Sequence, residues 1–277
     1  MLMEWRSGKR TSIGAGGAVL EARMIGPSPD EAPTIVLLHE GLGSVGLWRD
    51  FPERLVDATG FGVFSYSRRG YGNSETVALP RPLDYLTREA VEVLPDVLGC
   101  AGFRRGILVG HSDGASIAAL YLGHRLDKRV KGLVLMAPHF FVEPAGLAEL
   151  RETRKAYEQG GLRERLAKHH RDVDAAFYGW NDAWLDPDFA DWDVRDIIGC
   201  IEAPVLAIQG EEDQYATLAQ IDVIGERLNA PFTRLALPNC RHAPFLEKPR
   251  ETIAAIQGFI ADIGLSPNQF SPRRFRM

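Results

Sequence analysis

The chain is poor in cysteine. It has three in 277 residues, Cys100, Cys200 and Cys240, odd in number, far apart and without a C-x-x-C pair. That pattern supplies neither a disulfide framework nor a zinc or redox motif, so reduced thiols in a cytoplasmic protein are expected. No stretch approaches the ~20 apolar residues that span a bilayer, and Met1-Leu2-Met3-Glu4-Trp5-Arg6 lacks the apolar core of a signal peptide. A soluble, unexported protein with no membrane partner is expected. Basic charge is also in deficit, 32 Lys and Arg against 37 Asp and Glu, for a formal net charge of -5. The chain thus has no nucleic-acid footprint, and its one basic cluster, Arg273-Arg274-Phe275-Arg276, reads as a solvated tail. Repeats and low-complexity segments are absent. What is present is ordinary globular material, 45% hydrophobic and 25% charged, with enough length for a large core.

The apolar pattern alternates between strand-like and helix-like segments. Residues 10 to 25 have hairpin character around Gly14-Ala15-Gly16-Gly17, a run that lacks the third glycine and the helix of a dinucleotide loop. Continuous apolar runs at Thr34 to His39, Gly62 to Tyr66, Ile107 to Val109, Val130 to Met136 and Pro204 to Gln209 read as strands buried on both faces, and Thr233 to Leu237 as a last strand. Helical spacing is found near Trp48 to Ala58, from Asp84 to Leu98 despite Pro95, from Ala115 to Leu122, near Leu218 to Leu228 and from Glu251 to Ile263. Between His139 and Ile198 the strands stop. Helical stretches at Ala145 to Gln159 and Leu162 to His170 lead into a region holding Phe177, Tyr178, Trp180, Trp184, Phe189 and Trp192. The pattern predicts an α/β class, with a mostly parallel sheet covered by helices on both faces. Its core is residues 1–139 and 198–277, and residues 140–197 form a helical cap.

The segment from Gly106 to Ser116, G-I-L-V-G-H-S-D-G-A-S, runs a short strand into Gly110-His111-Ser112-Asp113-Gly114 and then a small-residue helix. This is a G-x-S-x-G nucleophile elbow in its expected context: a serine hydroxyl is a weak nucleophile unless a sharp turn presents it to a base and to backbone N–H donors. After the strand ending at Gln209, Gly210-Glu211-Glu212-Asp213 places a carboxylate at the carboxyl end of the sheet. After the next strand, Asn239-Cys240-Arg241-His242-Ala243-Pro244 brings a histidine to the same end.

With the order Ser112, Asp213, His242, the chain resembles the α/β-hydrolase superfamily over nearly its whole length. G-H-S-D-G matches the elbow, G-E-E-D the acid turn, R-H-A-P-F-L-E-K-P the histidine loop, and S-R-R-G-Y-G-N-S an R-G-x-G-x-S segment common in the superfamily. The resemblance implies the α/β-hydrolase fold. In it Ser112 is the nucleophile, His242 the base and Asp213 the residue that orients the imidazole, with no cofactor or metal. It further implies an oxyanion hole built from the backbone N–H of Asp113 and one from Gly41, with Leu42 close behind. The usual histidine-glycine pair is here His39-Glu40.

Glu40 has two readings, a carboxylate facing the pocket and disfavouring anions, or a carboxylate turned away to shape the loop; the second is favoured, because a negative charge would oppose an oxyanion. Glu211 and Glu212 are rivals to Asp213. His39 and His111 are expected to be structural, and His169 and His170 to lie on a solvated helix face. The cap aromatics are expected to divide between lining the substrate pocket and packing the cap. The function expected is hydrolysis of a carboxylic ester, lactone or thioester of a small to medium apolar substrate through an acyl-enzyme. One alternative is a carbon–carbon hydrolase of dienoic ring-fission products, with Arg68 or a cap residue holding the substrate carboxylate; another is a ligand-binding module of the same fold. A small molecule is the expected partner, and an apolar cap edge leaves room for a homodimer.

Overall fold

The structure is a computed structural model and describes residues 4–267, so the basic cluster at 273–276 and the first three residues lie outside the described residues. Eight strands form one sheet: β1 (Arg10–Ala15), β2 (Ala18–Ile25), β3 (Thr34–Leu38), β4 (Gly62–Tyr66), β5 (Gly106–His111), β6 (Val130–Met136), β7 (Val205–Gly210) and β8 (Phe232–Leu237). Their spatial order is β1-β2-β4-β3-β5-β6-β7-β8, with β1 and β2 antiparallel and every pairing from β4 to β8 parallel. The β1–β2 hairpin turns on Gly16 and Gly17, both at positive φ, as a two-residue loop of matching twist requires.

Alternation along each central strand divides the core in two. Ile35 and Leu37 face the side covered by α1 (Phe51–Thr59) and, at the end of the chain, by α9 (Pro244–Glu247) and α10 (Pro249–Asp262). Val36 and Leu38 face the side covered by α2 (Tyr85–Arg88), α3 (Leu94–Cys100), α4 (Asp113–His124) and α8 (Ala219–Arg227). α4 is buried all round from Asp113 to Leu122, which explains why it lacks a polar stripe.

The expected helix over Asp84 to Leu98 is present, but a π-turn over Glu89–Val93 separates α2 from α3. The wide turn ends at Val93, two residues before Pro95, whose ring has no N–H to donate and would crowd the preceding turn of a regular helix. Between β6 and β7 lie α5 (Pro144–Gln159), α6 (Leu162–Leu166), α7 (Val173–Leu185) and short 3-10 turns that run to Cys200. The helix expected from Leu162 to His170 stops at Leu166, whereas the aromatic region is helical as far as Leu185, as α7, with Phe189 in a 3-10 turn and Trp192 beyond it.

Candidate active site

Ser112 sits between β5 and α4 at φ 52°, ψ -122°, a strained conformation for a residue with a Cβ. Gly110 and Gly114 permit the turn: a Cβ at Gly110 would run into the backbone of Gly114 and Ala115, and one at Gly114 into the carbonyl of Leu38. Ser112 occupies the N-cap position of α4, yet its side chain caps nothing. It is instead 6% exposed and faces a cavity of about 100 Å³.

His242 lines the same cavity, and its Nδ1 bonds both carboxylate oxygens of Asp213 at 2.8 Å. The carboxylate also accepts from Gln209 Nε2 at 2.7 Å and from the Tyr215 N–H at 2.9 Å. Burial alone would raise the Asp213 carboxyl; the His242 ring and the Tyr215 N–H hold it below its ordinary value. Glu211 and Glu212 are exposed and take no part. Among the described residues no hydrogen bond joins the Ser112 hydroxyl to the His242 ring, the contact expected between a nucleophile and its base; the ring is held on its Nδ1 side by Asp213. Contacts of this kind commonly tighten when substrate fills the site.

Gly41, Leu42 and Asp113 line the cavity beside Ser112, and among the described residues their backbone N–H groups donate to no backbone acceptor. The Glu40–Gly41 peptide is held firmly. Its carbonyl accepts from His39 Nδ1 at 2.7 Å, Arg68 Nη2 at 3.0 Å and the Gly43 N–H at 3.1 Å. Since a trans peptide points its C=O and N–H in opposite directions, three donors on the oxygen fix the direction of the Gly41 N–H. On the far side, Trp180 packs so closely that a Cβ on Gly41 would overlap its indole.

The Glu40 carboxylate turns to His111 Nδ1 at 3.3 Å, while His111 Nε2 donates to the His242 carbonyl at 2.7 Å. Both ring nitrogens of His111 therefore face acceptors, which calls for the imidazolium. Burial works against that charge, but Glu40 and the His242 carbonyl raise His111 above its ordinary value. Burial likewise opposes ionisation of Glu40, and His111 overrides it, holding the carboxyl at about 2. Glu40 thus lines the cavity while its carboxylate is turned to His111 as half of an ion pair.

Arg68 corrects an expectation. Its guanidinium is 1% exposed, donates to the His39 and Glu40 carbonyls and lies 3.7 Å from Asp113 Oδ2. It is spent on the backbone and is absent from the cavity wall, so it offers nothing to a substrate carboxylate. Asp113, next to the serine, also accepts from Tyr85 Oη at 2.6 Å and Trp184 Nε1 at 3.3 Å, which ties α7 to the elbow.

His170 is a second correction. His169 is exposed, but His170 is 6% exposed, accepts from the Gly72 N–H at 3.0 Å and donates to the Leu42 carbonyl at 3.0 Å. With α6 ending early, the chain carries this ring inward to join two loops of the site. His39 is structural as expected: Nε2 accepts from the Arg68 N–H at 2.9 Å, and burial, with Arg68 adding to it, holds the ring well below its ordinary value and therefore neutral.

Val142, Leu147 and Leu150 from α5 and its approach, with Trp180 and Trp184 from α7, line the same cavity as Ser112, and Tyr215 packs edge-on against His242 at 4.8 Å. Phe177, Phe189 and Trp192 pack elsewhere, Phe177 on Tyr157 and Phe189 on Trp192. Sequence reasoning missed His139 and Glu143, which also line the cavity; His139 follows the end of β6, a sheet-end position that gave the only available signal. Among the described residues no group of three or more His, Cys, Asp or Glu could hold a metal ion, and no helix is long and apolar enough to cross a membrane.

A family model described as "Alpha/beta hydrolase family" matches residues 35–256, which runs from β3 into α10. The chain belongs to the alpha/beta hydrolase family. Curated relatives within reach of this alpha/beta hydrolase include the proline iminopeptidase of Lactobacillus delbrueckii subsp. lactis, 31% identical over 41% of this chain and 38% of the relative. Epoxide hydrolase 2 of Siraitia grosvenorii is 30% identical over 48% and 39%. The chain thus matches about two fifths of the length of these relatives. Among solved structures, proline iminopeptidase from Mycobacterium smegmatis shares the fold with a TM-score of 0.73 at 21% identity, covering 92% of this chain and 98% of that one. The enol-lactonase from Burkholderia xenovorans LB400 gives 0.67 at 18% identity over 91% and 99%.

Proposed function

We propose that the protein is a serine hydrolase that cleaves a small, uncharged carboxylic ester, or a lactone or thioester, through an acyl-enzyme on Ser112. The observation that carries this reading is the placement of His242: its Nδ1 is held by Asp213, and its ring lines the same cavity as the strained, uncapped Ser112. In the proposed cycle the Ser112 oxygen attacks the ester carbonyl carbon and its proton passes to His242 Nε2. The imidazolium is stabilised by Asp213, and the C–O bond to the leaving alcohol breaks as that oxygen takes the proton. Water, deprotonated by His242, then attacks the acyl carbon and releases the acid and Ser112. In both halves the negative oxygen is held by the N–H groups of Asp113 and Gly41, at the positive end of α4. The helices between β6 and β7 act as a cap that keeps bulk water away.

The cavity wall favours this over cleavage of dienoic ring-fission products. Such substrates carry carboxylates, and the wall holds Glu40 and Glu143 with no lysine or arginine. Its remaining surface is mainly apolar and aromatic, which suits a short acyl chain. The test is a panel of nitrophenyl esters of increasing acyl length together with a ring-fission dienoate, each assayed on the wild type and Ser112→Ala. Ester turnover that falls ~10⁴-fold or more in the variant supports the reading. Turnover of the dienoate alone, or of neither, refutes it.

A further inference from the structure

One ring in the cavity has no role in the cycle above. His139 is 7% exposed, lines the cavity, and among the described residues neither of its ring nitrogens has a hydrogen-bond partner. Neither nitrogen is among the polar atoms sealed inside the protein without a partner, so both open onto the cavity, where a substrate group can reach them. Its placement is firmly set. Ser116, one turn beyond Ser112 on α4, donates to the His139 carbonyl at 2.6 Å and accepts from its N–H at 3.2 Å. Two residues earlier, Ala137 takes φ 47°, a left-handed conformation that a residue with a Cβ adopts only when its surroundings impose it. The ring packs edge-on against Trp184 at 5.2 Å and lies 5.8 Å from the His242 ring.

From this geometry we infer that His139 is a substrate-contacting residue that recognises an uncharged oxygen substituent, a hydroxyl or a carbonyl, on the substrate beside the scissile ester. A neutral imidazole presents one N–H donor and one bare nitrogen acceptor, and so pairs with a hydroxyl through either nitrogen or with a carbonyl through the donor. Burial, helped by the nearby His242, pushes His139 down to about 3, so at neutral pH it offers those two functions and no charge. A plain alkyl chain would leave the ring unpaired, and a carboxylate would find no lysine or arginine on the cavity wall. Oxygenated neutral acyl groups are what the wall is built to choose.

The inference rests on the cavity being the substrate site, and its test reads binding, so that it does not depend on turnover. Ethyl butyrate, ethyl 2-hydroxybutyrate and ethyl 3-hydroxybutyrate are titrated by calorimetry into Ser112→Ala protein. One hydroxy ester is expected to bind about tenfold or more tightly than ethyl butyrate. In Ser112→Ala/His139→Phe, which keeps a ring against Trp184, that ratio falls to about one; in Ser112→Ala/His139→Gln, which keeps hydrogen-bonding capacity, part of it returns. Each ratio is measured within one protein, so a loss of folded fraction cancels. Equal affinities in Ser112→Ala, a preference that survives His139→Phe, or no measurable binding of any of the three would overturn the assignment. Failure of the esterase reading is seen separately, as absence of Ser112-dependent turnover.

Discussion

Arg68→Met gives the sharpest test of how the site is held. The side chain is 1% exposed and donates to the carbonyls of His39 and Glu40, and its nearest carboxylate is that of Asp113, equally buried, at 3.7 Å. Methionine fills much of the volume but strands a buried carboxylate and removes a donor from two carbonyls. Breaking one side of a buried pair costs about 3–5 kcal/mol, far above the 0–1 kcal/mol of a surface pair. The Asp113 carboxyl adds a pH signature. Burial already raises it despite Arg68, so the stability it contributes is present at low pH and is lost as pH rises through its folded value. Without Arg68 it is raised further, and the variant should lose stability more steeply than the wild type as pH rises above the ordinary carboxylate range. Activity should fall less than for outright loss of an oxyanion donor, about tenfold against a hundredfold or more, because His39 and Gly43 still hold the Glu40 carbonyl. Urea unfolding followed by tryptophan fluorescence at several pH values, with nitrophenyl ester kinetics alongside, measures all three effects. Adding Asp113→Asn should restore about 1.5–3 kcal/mol by removing the stranded charge. A loss below about 1 kcal/mol in Arg68→Met, or no recovery in the double variant, would refute the reasoning.

Other substitutions probe the remaining parts. Asp213→Asn should lower kcat ~10⁴-fold with Glu212→Gln near wild type, since only Asp213 reaches the His242 ring; steady-state kinetics of the pair checks this. Gly41→Ala forces the Trp180 indole to move and should cost ~10-fold or more in kcat/KM, with the fold intact by circular dichroism. Glu40 has its carboxyl held at about 2 against an ordinary 4.5, so its share of stability, roughly 3 kcal/mol, is present above pH 4.5 and lost as pH falls toward 2. The stability gap between wild type and Glu40→Gln should accordingly be widest near pH 5 and close on acidification. Trp184→Phe removes donors from Tyr85 Oη and Asp113 Oδ1 and should destabilise by about 1–3 kcal/mol, measured by urea unfolding.

What the sequence disclosed follows from where information is local. β3 and β5 to β7 were legible because strands buried on both faces must be apolar throughout, and the hairpin because two adjacent glycines suit a turn at positive φ. The elbow was legible because Gly110 and Gly114 answer to backbone contacts within a few residues or across one strand pairing. What stayed hidden depends on distant partners. His170 looked solvated because nothing nearby in sequence shows that α6 ends at Leu166 and turns the ring toward Gly72 and Leu42. Arg68 looked available because charge on a loop suggests exposure; its acceptors, the carbonyls at 39 and 40, lie 29 and 28 residues away. His139 gave no signal beyond its place after β6, since its isolation is a property of the assembled cavity.

The central claim is that Ser112 becomes acylated, and the most direct measurement is mass spectrometry of the intact protein and its peptides after rapid acid quench with a slowly deacylating nitrophenyl ester. The account predicts a single added acyl mass on the peptide containing Ser112, formed in step with a burst of nitrophenol and absent in Ser112→Ala. An acyl group carried on another residue, or steady ester turnover that persists in Ser112→Ala, would contradict it.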